Sequence, residues 1–152
     1  MRPMNTVRLR LRPVVPADHP TVLRILKEAT AEQAASQGLI DDVVQFGRED
    51  LILKDAMLVC ADDEPIGILS VDKRPGDWRL RALKIEAGYR RKGFGTLLLL
   101  AILDEAQAAR VSVSVILEHG NAAIRLFQRQ GFEILTRTAT EVLLKRRVSP
   151  KK

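Results

Sequence analysis

Between Trp78 and Leu103 the apolar pattern changes period once, from the alternation of a strand to the almost continuous apolar run of a helix. The change is made through Arg90-Arg91-Lys92-Gly93-Phe94-Gly95-Thr96. A strand that feeds a helix through a glycine-containing turn confines the chain to folds that mix the two elements in one layered domain. The turn also has a chemistry of its own. Glycines let the backbone bend without a Cβ in the way, so successive N–H groups can face one hollow. A helix starting there adds first-turn amides without intrahelical partners and the positive end of its dipole. Arg90, Arg91 and Lys92 add whole charges. Convergent donors in a positive field are what a diphosphate requires. Taken alone, a Gly-x-Gly serves an ordinary tight turn equally well. The dinucleotide pattern Gly-x-Gly-x-x-Gly is not met, because Leu98 stands where its third glycine would be.

The remaining elements follow from period and punctuation. Val7 to Arg12 alternates apolar residues with arginine, a strand stopped by Pro13 and Pro16. Asp18 is placed to cap a helix carrying Val22, Ile25, Leu26 and Ala29, running to about Gln37 and ended by Gly38. A weaker helical stretch covers about Asp41 to Lys54. Met57 to Ala61 and Pro65 to Asp72 read as a hairpin across Asp62-Asp63-Glu64, and Trp78 to Ile85 as the strand before the glycine turn. Gly93 to Arg110 is a helix apolar on most sides and hence expected to be buried. Val111 to Leu117 is a β-branched strand, Asn121 to Gln130 a helix stopped by Gly131, and Phe132 to Thr136 with Glu141 to Lys145 a closing hairpin. No linker or repeat interrupts this order. The expectation is one α/β domain over 1–152, with its core at about 7–147.

Composition excludes several classes. At 152 residues and 46% hydrophobic content the chain can bury one sizeable core. The net charge of +6 would suit a polyanion, but much of the excess lies at the termini, in Arg2, Arg8, Arg10 and Arg12 and in Lys145, Arg146, Arg147, Lys151 and Lys152. No aromatic residues interleave with it to stack bases, which argues against nucleic acid. Cys60, the lone cysteine, sits in an apolar run and reads as a buried strand residue; no metal-ligand cluster is evident. The longest apolar run, Leu97 to Leu103, is too short for a bilayer, and no signal segment opens the chain, so the expected location is cytoplasmic without membrane attachment.

The run Ile85-Glu86-Ala87-Gly88-Tyr89-Arg90-Arg91-Lys92-Gly93-Phe94-Gly95-Thr96-Leu97-Leu98 resembles the acetyl-coenzyme A signature of the GNAT N-acetyltransferases, with the core Arg/Gln-x-x-Gly-x-Gly/Ala met from Arg90 to Gly95. The segment Asn121-Ala122-Ala123-Ile124-Arg125-Leu126-Phe127-Gln128-Arg129-Gln130-Gly131-Phe132 is similar to the family's second coenzyme-facing helix, and Arg10-Leu11-Arg12-Pro13 followed by Asp18 resembles its first strand and helix start. The resemblance implies the GNAT acyl-CoA acyltransferase fold: a mixed, mostly antiparallel sheet of 6–7 strands, about four helices and a splayed central strand pair. It implies acetyl-CoA as co-substrate and an amine acceptor on a small molecule, peptide or protein. Residue by residue, it implies that the amides of Arg91, Lys92, Gly93, Phe94, Gly95 and Thr96 bind the pyrophosphate with Arg90 beside them. The strand through Leu83 and Ile85 would pair with the pantetheine arm like an added strand. An N–H between Leu83 and Ile85 would stabilise the oxyanion, worth roughly 2 to 4 kcal/mol, and Asn121 would touch the coenzyme, a role compatible with plain helix capping.

The sequence departs from the family in two places: on the fourth strand Arg79, Arg81 and Lys84 stand where some relatives carry an acid, and the second departure is at Phe127. Where many members carry a tyrosine that protonates the departing thiolate, this chain has Phe127, which can line the thioester pocket but cannot donate. Glu118 and His119, just past the strand before Asn121, are the candidates for the base that takes the amine's proton. Three readings follow: an active acetyltransferase, a catalytically weak CoA-binding module of the same fold, and a basic nucleic-acid or ribosome-associated protein. Asp41, Asp42, Glu49 and Asp50 could draw a cationic acceptor or simply form a solvated face. Strand edges would allow a homodimer.

Overall fold

The computed structural model describes residues 8–27, 42–44, 49–89 and 92–148. Along the chain these form β1 (Leu9–Pro13), α1 (His19–Leu26), β2 (Asp42–Val44), α2 (Glu49–Lys54), β3 (Ala56–Ala61), β4 (Glu64–Arg74), β5 (Asp77–Ile85), α3 (Phe94–Ala109), β6 (Ser112–Glu118), α4 (Ala123–Arg129), β7 (Glu133–Arg137) and β8 (Glu141–Arg146). Short 3-10 turns cover Pro16–Asp18 and Ala87–Tyr89.

The strands form one mixed sheet in the order β1-β3-β4-β5-β6-β8-β7, with β2 added against β5. Every pairing is antiparallel except that of β5 with β6, which α3 joins by a crossover. The hairpin from β3 to β4 turns on Asp62 and Asp63, both at positive φ (49° and 73°), the two-residue geometry whose twist matches the flanking strands and which Asp tolerates better than most residues.

Alternation along the strands separates two cores. Val113, Val115 and Leu117 of β6 and Leu80, Leu83 and Ile85 of β5 pack beneath Leu98, Leu99, Ile102, Leu103 and Ala106 of α3 and Leu126 and Phe127 of α4. On the opposite face Leu58, Cys60 and Ile68 meet Val22 and Ile25 of α1, with Leu53 of α2 against them. Side chains worth about 1.5 to 3 kcal/mol each on burial therefore clamp the sheet from both sides.

Some expectations change. The stretch from Asp41 to Lys54 is helical only over Glu49–Lys54; Asp42–Val44 is a strand. Two adjacent β-branched residues, Val43 and Val44, favour extended backbone, and β5 offers them an edge. The helix at Gly93 to Arg110 is not buried all round: Leu97 and Leu100 are 57% and 41% exposed, because a helix lying on one face of a sheet turns a stripe outward whatever that stripe contains. Asp18 makes no side-chain cap to α1. Its carboxylate reaches back to accept from the Val15 N–H (3.0 Å) and from both terminal nitrogens of Arg12 (2.8 and 2.9 Å). The expected continuation of the first helix to Gln37, its stop at Gly38, and Val7 and Asp41 lie outside the described residues. No helix among the described residues is long and apolar enough to cross a membrane.

Candidate functional site

The two parallel strands at the centre of the sheet do not stay together. β5 and β6 pair from Asp77↔Ser112 to Leu80↔Val115 and then part, although each continues, β5 to Ile85 and β6 to Glu118. The fork opens at a bulge. Ser70 of β4 pairs with Ala82 and Val71 with Leu80, so Arg81 is an extra residue on β5 that bends the strand away from its neighbour. Parting parallel strands leave a crevice at their carboxyl ends, the place where open α/β sheets hold ligands.

Two helices start at the mouth of this fork, α3 after β5 and α4 after β6. Gly93 precedes α3 at φ 83°, a left-handed conformation that glycine adopts without strain. Its carbonyl accepts the first intrahelical bond, from the Leu97 N–H at 2.9 Å. The helix directs its first-turn N–H groups back along its axis toward the turn. Phe94 and Gly95 are buried, Thr96 half-buried and Lys92 exposed. Arg90 and Arg91 lie outside the described residues. The segment between β5 and the turn is pinned at several points: the Glu86 N–H donates to the Ile66 carbonyl (2.6 Å), Arg24 approaches the Glu86 carboxylate at 3.5 Å, and the Tyr89 hydroxyl donates to Glu64 Oε2 (3.1 Å). The Glu64 hydrogen bond, and then its charge, push the Tyr89 pKa up.

On the other arm, Asn121 Oδ1 accepts from the Ala123 N–H at 2.8 Å, so its side chain orders the entry to α4. Phe127 is fully buried and packs edge-on against Phe132, with ring centroids 5.0 Å apart and planes at 89°. Glu118 ends β6 directly opposite Glu141 of β8, and both are exposed. By strand alternation Glu118 shares the face of Ser112 and Ser114, the face turned toward α1 and α2. His119 is exposed, and its backbone N–H donates to the Thr140 carbonyl at 2.9 Å. Leu83 and Ile85 are both 0% exposed, with side chains in the core under α3.

Two features of the fork differ from what the sequence predicts. β2 occupies the edge of β5 that the fork vacates: Asp42, Val43 and Val44 pair with Lys84, Leu83 and Ala82. Lys84 is only 2% exposed, and its ammonium donates to the Leu26 carbonyl at 3.1 Å, tying the end of α1 to β5. The signal for the first was the Val43-Val44 pair; an isolated lysine between Leu83 and Ile85 gave none for the second. Among the described residues no three His, Cys, Asp or Glu side chains gather to hold a metal ion.

The same architecture is found in solved structures. The chain superposes on the PaiA N-acetyltransferase of Thermoplasma acidophilum in complex with coenzyme A with a TM-score of 0.67, at 13% identity over 92% of this chain and 99% of that one. It superposes on the ribosomal-protein-S18-alanine N-acetyltransferase of Escherichia coli with a TM-score of 0.65, at 15% identity over 95% and 97%. A GNAT family acetyltransferase of Elizabethkingia anophelis with acetyl-CoA bound gives 0.60, at 12% identity over 92% and 98%. At these identities the likeness concerns the fold. A comparison with curated protein sequences gives no match. The sequence profile of the Acetyltransferase (GNAT) family matches residues 22–132, the greater part of the chain, and the chain belongs to that family.

Proposed function

We propose that this chain, acting as a single domain over 1–152, is a cytoplasmic N-acetyltransferase that takes acetyl-CoA into the fork between β5 and β6 and passes the acetyl group to an amine. The observation that carries this reading is the parting of the two strands immediately after Leu80 and Val115, beside the Arg81 bulge. It frees one edge of β5 from β6 at the centre of the sheet, and that edge is held by the three-residue strand β2, which an extended ligand can replace. The pyrophosphate lies at the Gly93 turn, on the amides from Arg91 to Thr96, with Arg90 and Lys92 supplying charge. The pantetheine arm runs along Leu83 to Ile85 and takes the place that β2 holds in the free protein. The thioester carbonyl then meets an N–H of that strand, in a dry core where such a donor is worth more than in water.

Glu118 is the better placed of the two bases, since it ends the strand on the face of α1 and α2, opposite the coenzyme-bearing helices. It takes a proton from the acceptor ammonium, directly or through water, and the freed amine attacks the carbonyl carbon. Phe127 has no proton to give, so the leaving thiolate is protonated by water. The lack of a hydroxyl at Phe127 favours a second reading, a CoA-binding module with little turnover.

Titration calorimetry with acetyl-CoA at near-neutral pH, followed by thiol release against a panel of amines, tests both readings. Uptake with release supports the enzyme, uptake without release the binding module, and no uptake by folded protein removes both.

A further inference from the structure

On the face of the sheet turned toward α1 and α2, the root of the fork is cationic. Ser70 belongs to that face, because its hydroxyl donates to the Ile52 carbonyl of α2 at 2.9 Å, and so by alternation does Asp72. Arg81 reaches Asp72 at 2.7 Å, while its own Nε is buried with no hydrogen-bond partner. Arg79 Nε donates to Ser114 Oγ at 2.8 Å. Ser114 in turn donates to Asp77 Oδ2 (2.6 Å), and the Asp77 carboxylate also accepts from Ser112 (2.7 Å) and Arg74 (2.8 Å). Each carboxylate is thus committed to its own donors. Among the described residues the terminal nitrogens of Arg79 meet no acceptor, although the side chain is half-buried. Lys145 stands beside Ser114 in the β6–β8 register and adds another positive charge to the row.

This charge balance is unusual for a place where an amine must arrive, because a guanidinium repels an ammonium. Burial, and then repulsion from Arg74, already lowers the Arg79 pKa, so an incoming anion would relieve a strained cation. We propose that Arg79, with Arg81 beside it, is an anion subsite for the acceptor, and that the acceptor class is an amine carrying a carboxylate, such as an amino acid or an acidic peptide. The inference rests on the acetyltransferase reading and deepens it. A planar guanidinium with two uncommitted terminal nitrogens matches a carboxylate, whose two oxygens can accept from both. Arg79 lies four residues before Leu83, about 13 Å along the strand. A carboxylate held at the root of the fork therefore suits an acceptor that extends along β5, such as a long-chain amino acid or a short acidic peptide, with its amine toward the proposed thioester position. Polyamines, with no anion to offer, are disfavoured by the same charges.

The test uses glutarate and its uncharged diamide as probes. The wild-type chain is expected to take up glutarate and to bind the diamide at least ~10-fold more weakly, the scale of a lost charged hydrogen-bonding pair. Arg79→Gln should abolish that difference. Arg79→Lys, which keeps the charge and the fold but loses the planar fork, should retain part of it. In thiol release, amino acids should surpass their amides and spermidine, with the Arg79→Gln effect falling on KM. Equal uptake of both probes by the wild type, or glutarate uptake unchanged in Arg79→Gln, overturns the subsite. Acetyl-CoA uptake by the same samples separates the two levels: coenzyme uptake without anion discrimination removes the subsite alone, and no coenzyme uptake removes both.

Discussion

The carbonyl oxygen of Lys84 stands 2.5 Å from the point where a Cβ on Gly67 would lie, and Ile85 Cδ1 and Cα would be 2.9 and 3.3 Å away. Gly67 pairs with Ile85 across β4 and β5, so glycine here lets β4 approach the very segment of β5 that lines the fork. Gly67→Ala must push that segment toward the crevice. The expected result is a loss of about 1 to 3 kcal/mol in urea unfolding, with weaker acetyl-CoA uptake. Gly88→Ala, where an added Cβ meets nothing within 4 Å, serves as the control and should leave both unchanged.

Gly93 presents the opposite case. An added Cβ there also meets nothing within 4 Å, yet φ is 83°. The penalty of a substitution is therefore purely conformational, about 1 to 2 kcal/mol for an ordinary residue. Gly93→Asn, which tolerates this region, should lose less stability than Gly93→Val, in which the branched Cβ resists it. Thermal unfolding ranks the variants, and acetyl-CoA uptake should fall in the same order, since the proposed diphosphate site is the turn itself.

These two glycines show what the sequence could and could not disclose. Gly93 announced itself because it stands between a strand period and a helix period, and local pattern reaches that far. Gly67 sits inside a strand whose partner is eighteen residues on in the register with Ile85, and only the pairing reveals why a side chain is excluded. The fork was legible only through the family resemblance: nothing in the alternation of Trp78 to Ile85 says that β6 leaves at Leu80, or that Arg81 is the bulged residue. Val43 and Val44 fit a helix period as well as a strand period over so short a span, and the available edge of β5 decides the outcome. Asn121 is expected to touch the coenzyme or to cap α4; it stands one residue ahead of the N-cap, Ala122, which has no side-chain cap, and its Oδ1 accepts from the Ala123 N–H in the turn that leads into the helix.

Glu118 and His119 differ in setting. Glu118 is the last residue of β6, on the face of α1 and α2, whereas His119 lies in the turn that follows, its backbone N–H bound to the Thr140 carbonyl. Glu118→Gln should lower kcat by about 10² to 10⁴, the usual contribution of a positioned base, while His119→Gln should leave it within a few fold. Steady-state thiol release with a single good acceptor decides between them, and the reverse order would move the base to the histidine.

Near the N-terminal end, the Arg12 hydrogen bonds, followed by the Val15 N–H, hold the Asp18 carboxyl down to about 2 from its ordinary 3.8. A depressed carboxyl stabilises the fold at pH above its unfolded value, and that contribution is lost as pH falls through the folded one. The β1–α1 junction should therefore weaken only below about pH 4. Carboxyl NMR shifts should show Asp18 titrating near 2 in the wild type and nearer 3.8 in Arg12→Gln, with the Val15 amide shift following the same curve. Identical titrations in the two proteins would mean that the ion pair is not formed in solution.

One edge of a strand accepts one partner, and from Ala82 to Lys84 that edge of β5 is held by β2. If the pantetheine arm pairs there, coenzyme binding and β2 docking exclude each other, and the apparent affinity for coenzyme is reduced by the fraction of molecules in which β2 is seated. Directly opposed residues of an antiparallel pair have Cα atoms about 4.5 to 5.5 Å apart, within the span of a disulfide. Val44 and Ala82 are such a pair. In a Cys60→Ala background, Val44→Cys with Ala82→Cys should oxidise readily and remain folded by circular dichroism. The oxidised form should take up acetyl-CoA at least ~10-fold more weakly than the same protein after reduction, since the locked strand can no longer leave. Replacing Asp42-Val43-Val44 by Gly-Ser-Gly, which weakens the strand without touching β5, should act in the opposite sense and tighten uptake. Equal uptake by the oxidised and reduced forms would show that the arm lies elsewhere in the fork and that β2 is part of its wall.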